Sequence, residues 1–195
     1  MGRIICLMGK SAAGKDTIFK ELMSDQKLDL TRIVPYTTRP VREGEQDGVE
    51  YFFTEEAAFR QLQEDGKVIE SRAYHTCHGL WRYFTVNDRQ LQDERRNYII
   101  IGTLEAYRKL QDYFGKERML PIMVELEDGT RLQRALNRER GQECPKYEEM
   151  CRRFLADSED FSEEKIAEAG IDRRFQNDDL HRCLDEIRLY LIREM

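Results

Sequence analysis

GKSAAGKDT, residues 9–17, is the stretch that decides the fold of this chain. The apolar run IICLM at residues 4–8 predicts a short buried strand before it, and residues 18–23 have the apolar spacing of a helix. A strand, a glycine-rich turn and a helix form the context that a phosphate-binding P-loop requires. A structural glycine turn is the alternative, and the flanking strand and helix argue against it.

The glycines and the lysine of this stretch each have a physical role in binding phosphate. Gly9 and Gly14 let the backbone curl so that its N–H groups point inward at an anion, at the positive end of the following helix. Lys15 adds a mobile positive charge against the β- and γ-phosphates. The candidate phosphate-binding residues are Gly9, Lys10, Ser11, Ala12, Ala13, Gly14, Lys15, Asp16 and Thr17.

The residue after the lysine departs from the usual P-loop. That position normally has Ser or Thr, which ligates Mg²⁺, but here Asp16 occupies it and Thr17 follows. A carboxylate suits Mg²⁺ as a hard oxygen ligand, although its charge weakens the nest for phosphates unless the metal is present. Asp16 and Thr17 are therefore the candidate metal ligands, and their geometry stays open.

Size, composition and charge narrow the class of protein. The 195 residues are 40% apolar and 36% charged, which predicts a soluble globular protein with one core and small appended lobes. The net charge of −6 argues against general binding to nucleic acid or to an anionic membrane. No run approaches the roughly 18 apolar residues of a membrane span, and the first strand begins so early that we expect no signal peptide.

The cysteines indicate a reducing compartment. Five cysteines are scattered without a CxxC pair, which is typical of free thiols in the cytoplasm. No cysteine is assigned to a metal or to catalysis.

An arginine-rich segment follows the first helix. Residues 31–36 (TRIVPY) predict a strand that leads to Arg39 and Arg42, which flank a proline. Two guanidinium forks held close together suit a phosphate monoester. A strand at residues 49–53, a helix at 55–65 and strands at 68–73 and 81–86 then predict a small lobe inserted between larger βα units.

The rest of the chain alternates strands and helices. Residues 97–102 predict a central parallel strand, 103–114 a helix, and 119–126 a strand in which Pro121 favours an edge or strand-start position. Residues 171–176 predict a last strand and 178–194 a terminal helix with apolar residues at 180, 184, 187 and 191. The alternation predicts an α/β fold with a parallel sheet.

Between these elements lies a segment rich in arginine. Residues 131–153 predict a helix, a short mobile segment at Gly141 and Pro145, and a second helix that runs from about residue 147 to 169. For Arg131 and Arg134 a solvated charged face is the favoured interpretation. The arginines of the segment lie at positions 131, 134, 138, 140, 152 and 153.

Taken together, these motifs resemble guanylate kinase, a P-loop nucleoside monophosphate kinase, over nearly the whole chain. The most specific segment is YTTRPVREGEQDGVEYFF at residues 36–53, and FQNDDL at 175–180 resembles the family's closing strand-to-helix segment. The resemblance implies a P-loop NTPase core with a parallel sheet, a small mixed α/β lobe that binds the monophosphate, and a helical lid. The implied core is residues 1–35, 87–130 and 151–195, the lobe 36–86 and the lid 131–150.

The resemblance also implies roles for particular residues. Arg39, Arg42 and Tyr51 would hold the acceptor's phosphate, and Glu45 would steady or read the nucleotide. Glu70 lies where the family has a carboxylate that accepts from guanine N1 and N2. Arg138 and Arg153 would reach across the transferring phosphoryl group, and Asn177 would lie near the adenine end of the ATP site.

Several positions depart from the family pattern. His78-Gly79-Leu80 replaces Tyr-Gly-Thr/Ser, so His78 is a candidate phosphate ligand or a structural histidine, and His75 is unassigned. Ile101-Gly102-Thr103 replaces Asp-x-Asp, which leaves Thr103 as the candidate substrate contact and puts guanine preference in question. Pro35 replaces a serine near the base, and Asp16 is a candidate replacement for the lost metal carboxylate.

Three functions are compatible with the sequence. The first is transfer of the γ-phosphoryl group of ATP, with Mg²⁺, to GMP or a related monophosphate, with Lys15, Arg39, Arg138 and Arg153 as the catalytic residues. The second is the same chemistry on another phosphate monoester such as ribose 1,5-bisphosphate, because GKD also occurs in those kinases. The third is a non-catalytic binding module, against which the intact P-loop argues. The oligomeric state is open between a monomer and a homodimer.

Overall fold

The computed structural model describes residues 1–42, 44–76 and 79–195, and the prediction for His78 lies outside these ranges. The strands are β1 Ile4–Met8, β2 Leu30–Arg32, β3 Tyr36–Thr37, β4 Phe52–Phe53, β5 Val68–Thr76, β6 Gly79–Val86, β7 Asn97–Ile101, β8 Met119–Glu125 and β9 Arg174–Gln176. The helices are α1 Lys15–Met23, α2 Glu56–Glu64, α3 Leu104–Phe114, α4 Asp128–Arg140, α5 Tyr147–Asp160, α6 Glu163–Glu168 and α7 Leu180–Glu194.

The main sheet is parallel throughout, with strand order β2-β7-β1-β8-β9. β1 lies at its centre, and all five of its residues are fully buried. Ile5 and Leu7 face one hydrophobic cluster, which is covered by α1 and α7, while Ile4 and Cys6 face a second cluster under α3. The predicted α/β fold with a buried parallel sheet is confirmed.

A second, four-stranded sheet lies in the small lobe predicted at residues 36–86 (the acceptor lobe of the sequence prediction), with strand order β4-β3-β6-β5. Phe59 of α2 packs on Phe84 and Val86 of β6 and gives this sheet its own small cluster. The edge strand β5 lies against α3, because Lys109 Nζ of α3 donates to the carbonyl of Ser71 at 2.9 Å. Arg72 of the same strand donates to Thr103, so the lobe meets the main sheet at the carboxyl end of β7.

The sequence located most elements but not all of their bounds. Residues 31–36 form two strands, β2 and β3, in different sheets, rather than one. The helix predicted at about 147–169 breaks after Asp160, and Ser162 starts α6 by accepting from the Lys165 N–H. No helix in the described ranges is long and apolar enough to cross a bilayer.

Pro121 lies near the start of β8, one of the two positions that the sequence favoured, although β8 is not an edge strand. Pro121 is inside β8, which lies between β1 and β9. Pairing between β8 and β9 begins only at Met123, so β1 is the sole neighbour of the strand at Pro121. A residue without an N–H is tolerated there because one side of the strand has no ladder to complete.

Candidate active site

The P-loop joins β1 to α1 and needs glycine at two positions. Gly9 has φ 147° and a Cβ on it would lie 2.3 Å from the Val124 carbonyl oxygen. Gly14 has φ 95° and a Cβ would lie 2.3 Å from Asn177 Nδ2. Ala12 also adopts a left-handed conformation, with φ 62°. These conformations curl the loop around the N-terminus of α1, as an anion-binding nest requires.

The backbone carbonyls of the P-loop hold the side chain of Lys15 in place. Its Nζ donates to the carbonyls of Gly9 at 2.6 Å and Lys10 at 2.9 Å. Burial lowers the pKa of Lys15, the charges of Asp16 and Asp157 oppose that shift, and those of Arg131 and Arg138 add to it. Arg138 is exposed in the last turn of α4, and its role at the transferring phosphoryl group stays a prediction.

The position of Arg131 corrects a sequence-based interpretation. Its side chain is 1% exposed rather than solvated, and its guanidinium lies over the Phe154 ring. Nη1 donates to the Ser11 carbonyl at 2.9 Å, while Nε and Nη2 donate to Asp128. The buried positions 131, 135 and 139 of α4 are four residues apart, which is the signal that could have identified it. Arg134, by contrast, is exposed as expected.

Asp157 of α5 is a contact that the sequence did not indicate. Its Oδ2 accepts from the Ser11 backbone N–H at 2.7 Å and lies 3.5 Å from Arg131 Nη1. A carboxylate thus occupies one donor of the P-loop and connects it to the helix that carries Arg153. The charge alternation of α5 gives no sequence signal for this role.

Asn177 lies behind the P-loop. It is 2% exposed, and its Nδ2 donates to the Ala13 carbonyl at 2.7 Å. Its backbone N–H donates to the Glu125 carbonyl and so continues β9 beside β8. This position fixes the shape of the loop from beneath, so any contribution of Asn177 to ATP binding acts through the loop.

On the acceptor side, Arg39 and Glu45 form a bidentate pair. The two Nη atoms of Arg39 donate to the Glu45 carboxylate at 2.6 and 2.7 Å, and Arg39 is only 3% exposed. The guanidinium also lies 5.1 Å from the Tyr51 ring centroid. The hydrogen bonds from Arg39 lower the pKa of Glu45. Arg42 is exposed, and only its backbone N–H donates to Glu45 among the contacts described. Its guanidinium is therefore freer than that of Arg39 to bind a phosphate.

Glu70 is paired within the lobe. Its carboxylate accepts from Arg72 Nε at 3.1 Å and from the Thr85 hydroxyl at 2.8 Å. Arg72 also donates through Nη1 to the Thr103 hydroxyl at 3.3 Å. Thr103 additionally caps α3 by accepting from the Ala106 N–H. Glu70 and Thr103, predicted separately as substrate contacts, are thus connected by an arginine that the sequence did not single out.

Arg32 on β2 connects the two halves of the predicted site. Burial raises the pKa of Tyr51, and the charges of Arg39 and Arg72 oppose that rise. Burial lowers the pKa of Arg32 on β2, and the charges of Glu50, Tyr51 and Asp16 oppose it. The Arg32 guanidinium lies 5.2 Å from the Phe19 ring centroid of α1, and its Nη2 donates to the Glu50 carbonyl at 3.4 Å. Arg32 therefore contacts both the helix that follows the P-loop and the segment that precedes Tyr51.

Asp16 and Thr17 are exposed in the first turn of α1, beside Lys15. The described residues contain no group of three or more His, Cys, Asp or Glu side chains that could hold a metal. One or two oxygen ligands are nevertheless what Mg²⁺ takes from a protein when the substrate phosphates and water supply the rest. The donor set at this helix start fits Mg²⁺ bound in that way.

The second lid arginine is held by a carboxylate. Arg153 Nε donates to Glu149 Oε1 at 2.8 Å, and Arg152 donates to the same carboxylate through Nε and Nη2. These hydrogen bonds, from Arg152 first and then Arg153, lower the pKa of Glu149 to about 2. Arg153 is partly exposed, and its role at the transferring phosphoryl group stays a prediction.

Comparisons with known proteins agree with this arrangement. A family profile described as guanylate kinase matches residues 1–191. The guanylate kinase of Malacoplasma penetrans is 31% identical over 125 residues, which cover 63% of this chain and 62% of that protein. The guanylate kinase of Caldanaerobacter subterraneus subsp. tengcongensis is 31% identical over 196 residues, covering 99% of this chain and 88% of that protein.

A solved structure matches the fold. The crystal structure of guanylate kinase from Anaplasma phagocytophilum superposes with a TM-score of 0.67 and covers 99% of this chain and 86% of that chain. Its sequence identity is 21%, so this likeness shows the fold alone.

Proposed function

The chain belongs to the guanylate kinase family, whose members are ATP-dependent nucleoside monophosphate kinases, and from this premise we propose that it transfers the γ-phosphoryl group of ATP to GMP. The observation that supports the proposal is the position of Arg32 between the two halves of the predicted site. Its guanidinium lies over the Phe19 ring of α1, the helix that Lys15 begins, and its Nη2 donates to the carbonyl of Glu50, next to Tyr51. Phosphates bound at the P-loop and at Arg39 and Arg42 would thereby be brought together.

On this proposal the P-loop binds the phosphates of ATP. The backbone N–H groups and the Lys15 ammonium neutralise their charge, and Asn177 keeps the loop in shape. Asp16 and Thr17 would hold Mg²⁺, which would neutralise charge on the β- and γ-phosphate oxygens. Lys15 then exchanges its two carbonyl partners for phosphate oxygens.

The acceptor's phosphate is already an anion, so the reaction needs no general base. Arg42 and Tyr51 position it, and Arg39 adds a guanidinium that Glu45 orients. Arg138 and Arg153 stabilise the transferring group when the lid closes. Catalysis then consists of alignment and charge neutralisation. Closure also excludes water and suppresses hydrolysis of ATP.

The test is the release of ADP with a panel of acceptors: GMP, dGMP, AMP, CMP, UMP and ribose 1,5-bisphosphate. We expect turnover with GMP and product formation as GDP. Faster turnover of ribose 1,5-bisphosphate than of GMP would identify the sugar phosphate as the acceptor in place of GMP. The absence of turnover with every acceptor would instead favour a binding module. Four described cysteines are free thiols, which supports the cytoplasmic location that we also propose.

A further inference from the structure

Arg72 presents a guanidinium to the acceptor cleft next to the carboxylate of Glu70. The Glu70 side chain is 1% exposed, and its oxygens already accept from Arg72 and the Thr85 hydroxyl. The Arg72 side chain is 12% exposed. The more exposed group of the pair is therefore a hydrogen-bond donor, while the neighbouring carboxylate is buried and already accepts from Arg72 and Thr85.

The hydrogen bonds of Arg72 leave part of its fork available. Nε donates to Glu70 at 3.1 Å, Nη1 donates to Thr103 at 3.3 Å, and Nη2 makes a long contact with Glu70 at 3.4 Å. An arginine has five N–H donors, so one donor on each Nη atom is free of these partners. Two neighbouring donors of this kind match a pair of acceptors on the edge of a base.

The charge of the pair selects a neutral edge over an anion. Glu70 neutralises the charge of Arg72. A further phosphate of the acceptor, in addition to the one at Arg39 and Arg42, would be repelled by this carboxylate if it bound at the Arg72 guanidinium. The O6 and N7 atoms of a 6-oxopurine are neutral acceptors, and arginine binds this pair in bidentate fashion. Adenine has a donor in place of O6, so it cannot accept both bonds.

Aromatic side chains next to Arg72 suit a planar base. Tyr83 lies directly across the β5–β6 ladder from Arg72, and its ring contacts Tyr51 at 5.6 Å and Tyr74 at 5.7 Å between centroids. Both Tyr51 and Tyr74 lie within range of the Arg72 charge. The cleft therefore supplies apolar ring surface beside the donor fork.

We propose that Arg72 recognises O6 and N7 of the acceptor base and that Glu70 does not read the 2-amino group. The acceptor class is then the 6-oxopurine nucleoside monophosphates, so that IMP serves nearly as well as GMP and AMP does not. This inference rests on the proposed kinase function.

The experiment compares kcat/KM for GMP, IMP and AMP in the parent enzyme, in Arg72→Met and in Arg82→Met. Arg82 is the matched control, because it also pairs with a glutamate, Glu56, but packs over Phe59 on the other face of the sheet. We expect IMP within about tenfold of GMP, and a GMP-to-AMP ratio that falls about 5- to 100-fold in Arg72→Met, the discrimination of one bidentate contact. Arg82→Met should keep the ratio of the parent.

The outcomes separate the inference from the function on which it rests. Turnover of GMP with IMP more than about 100-fold slower overturns the inference and leaves the kinase function intact. An unchanged GMP-to-AMP ratio in folded Arg72→Met or Arg72→Lys overturns it as well. If the parent enzyme phosphorylates none of the three purine nucleotides but does phosphorylate ribose 1,5-bisphosphate, the proposed function fails, and base recognition by Arg72 fails with it. The IMP-to-GMP ratio of the parent enzyme decides the question even if the variants do not fold.

Discussion

Replacing Gly14 by alanine should distort the P-loop through one identifiable contact. Gly14 has φ 95°, and the added Cβ would lie 2.3 Å from Asn177 Nδ2, the amide that donates to the Ala13 carbonyl. The left-handed conformation alone costs a residue with a Cβ about 1–2 kcal/mol. Displacing Asn177 also leaves a buried carbonyl without its donor, which costs about 1–3 kcal/mol more. We therefore expect Gly14→Ala to lower the free energy of unfolding by about 2–5 kcal/mol, and to raise KM for ATP at least tenfold.

Gly66→Ala is the matched control. Gly66 has φ 69°, but no atom lies within 4 Å of its added Cβ, so this variant should lose only the conformational part, about 1–2 kcal/mol. Urea denaturation followed by circular dichroism measures both variants, and an assay of ADP release gives KM for ATP.

A double-mutant cycle with Asn177→Ala tests the reasoning itself. Removing the Asn177 side chain makes room for the Cβ, so Gly14→Ala should cost about 1–3 kcal/mol less in that background than in the parent. Additivity of the two substitutions within about 0.5 kcal/mol would refute the contact as the cause.

Three further predictions concern the buried Arg131 of α4, Arg153 of α5 and the buried Cys6 of β1. Arg131→Met should lower the free energy of unfolding by about 2–4 kcal/mol in urea, less than a fully buried pair would lose because Asp128 is half exposed. Arg153→Ala should lower kcat by about 10³-fold with a small change in KM, since arginines at the transferring group are worth about 10³–10⁵; steady-state kinetics would measure this. Burial raises the pKa of Cys6 from its ordinary value of 9.0 to about 12, so the native state holds this proton more tightly, and the stability this contributes below pH 9 is lost as pH rises toward 12. Cys6→Ala should therefore have a flatter pH dependence of unfolding in that range.

Each of these predictions has a control on the same element or of the same residue type. Arg134→Met, on the exposed face of α4, should change stability by less than about 0.5 kcal/mol. Arg152→Ala removes the other partner of Glu149 and should leave kcat near that of the parent. Cys151→Ala, at an exposed cysteine, should keep the alkaline slope of the parent. A loss of kcat in Arg152→Ala equal to that in Arg153→Ala would assign the effect to the fold of α5 rather than to the reaction.

The sequence was sufficient where the physical constraint is local. The P-loop glycines, the buried runs at β1 and β7 and the apolar face of α7 are visible as spacing, and the structure has each of them in place. Family resemblance added the order of the lobe and the lid.

The side chains that join distant segments could not be found in this way. Asn177 meets Ala13 across 164 positions, and Asp157 meets Ser11 across 146, so neither contact has a periodic signal. Arg72 alternates with apolar and polar neighbours as any strand residue does, and only the packing of β5 against α3 brings it to Thr103. Arg131 was misinterpreted because a charged residue on a charged helix resembles a solvated one until its partners are known.

The central claim is that one cleft holds the triphosphate at Lys15 and the acceptor's phosphate at Arg39 and Arg42. Calorimetric titration with adenosine and guanosine joined through five phosphates tests it directly, because such a ligand occupies both halves only if they face each other. We predict binding at least about 100-fold tighter than that of ATP or GMP alone, the gain expected when two sites are bridged. Lys15→Met and Arg42→Ala should each abolish that gain. Binding no tighter than that of the better single nucleotide would contradict the claim.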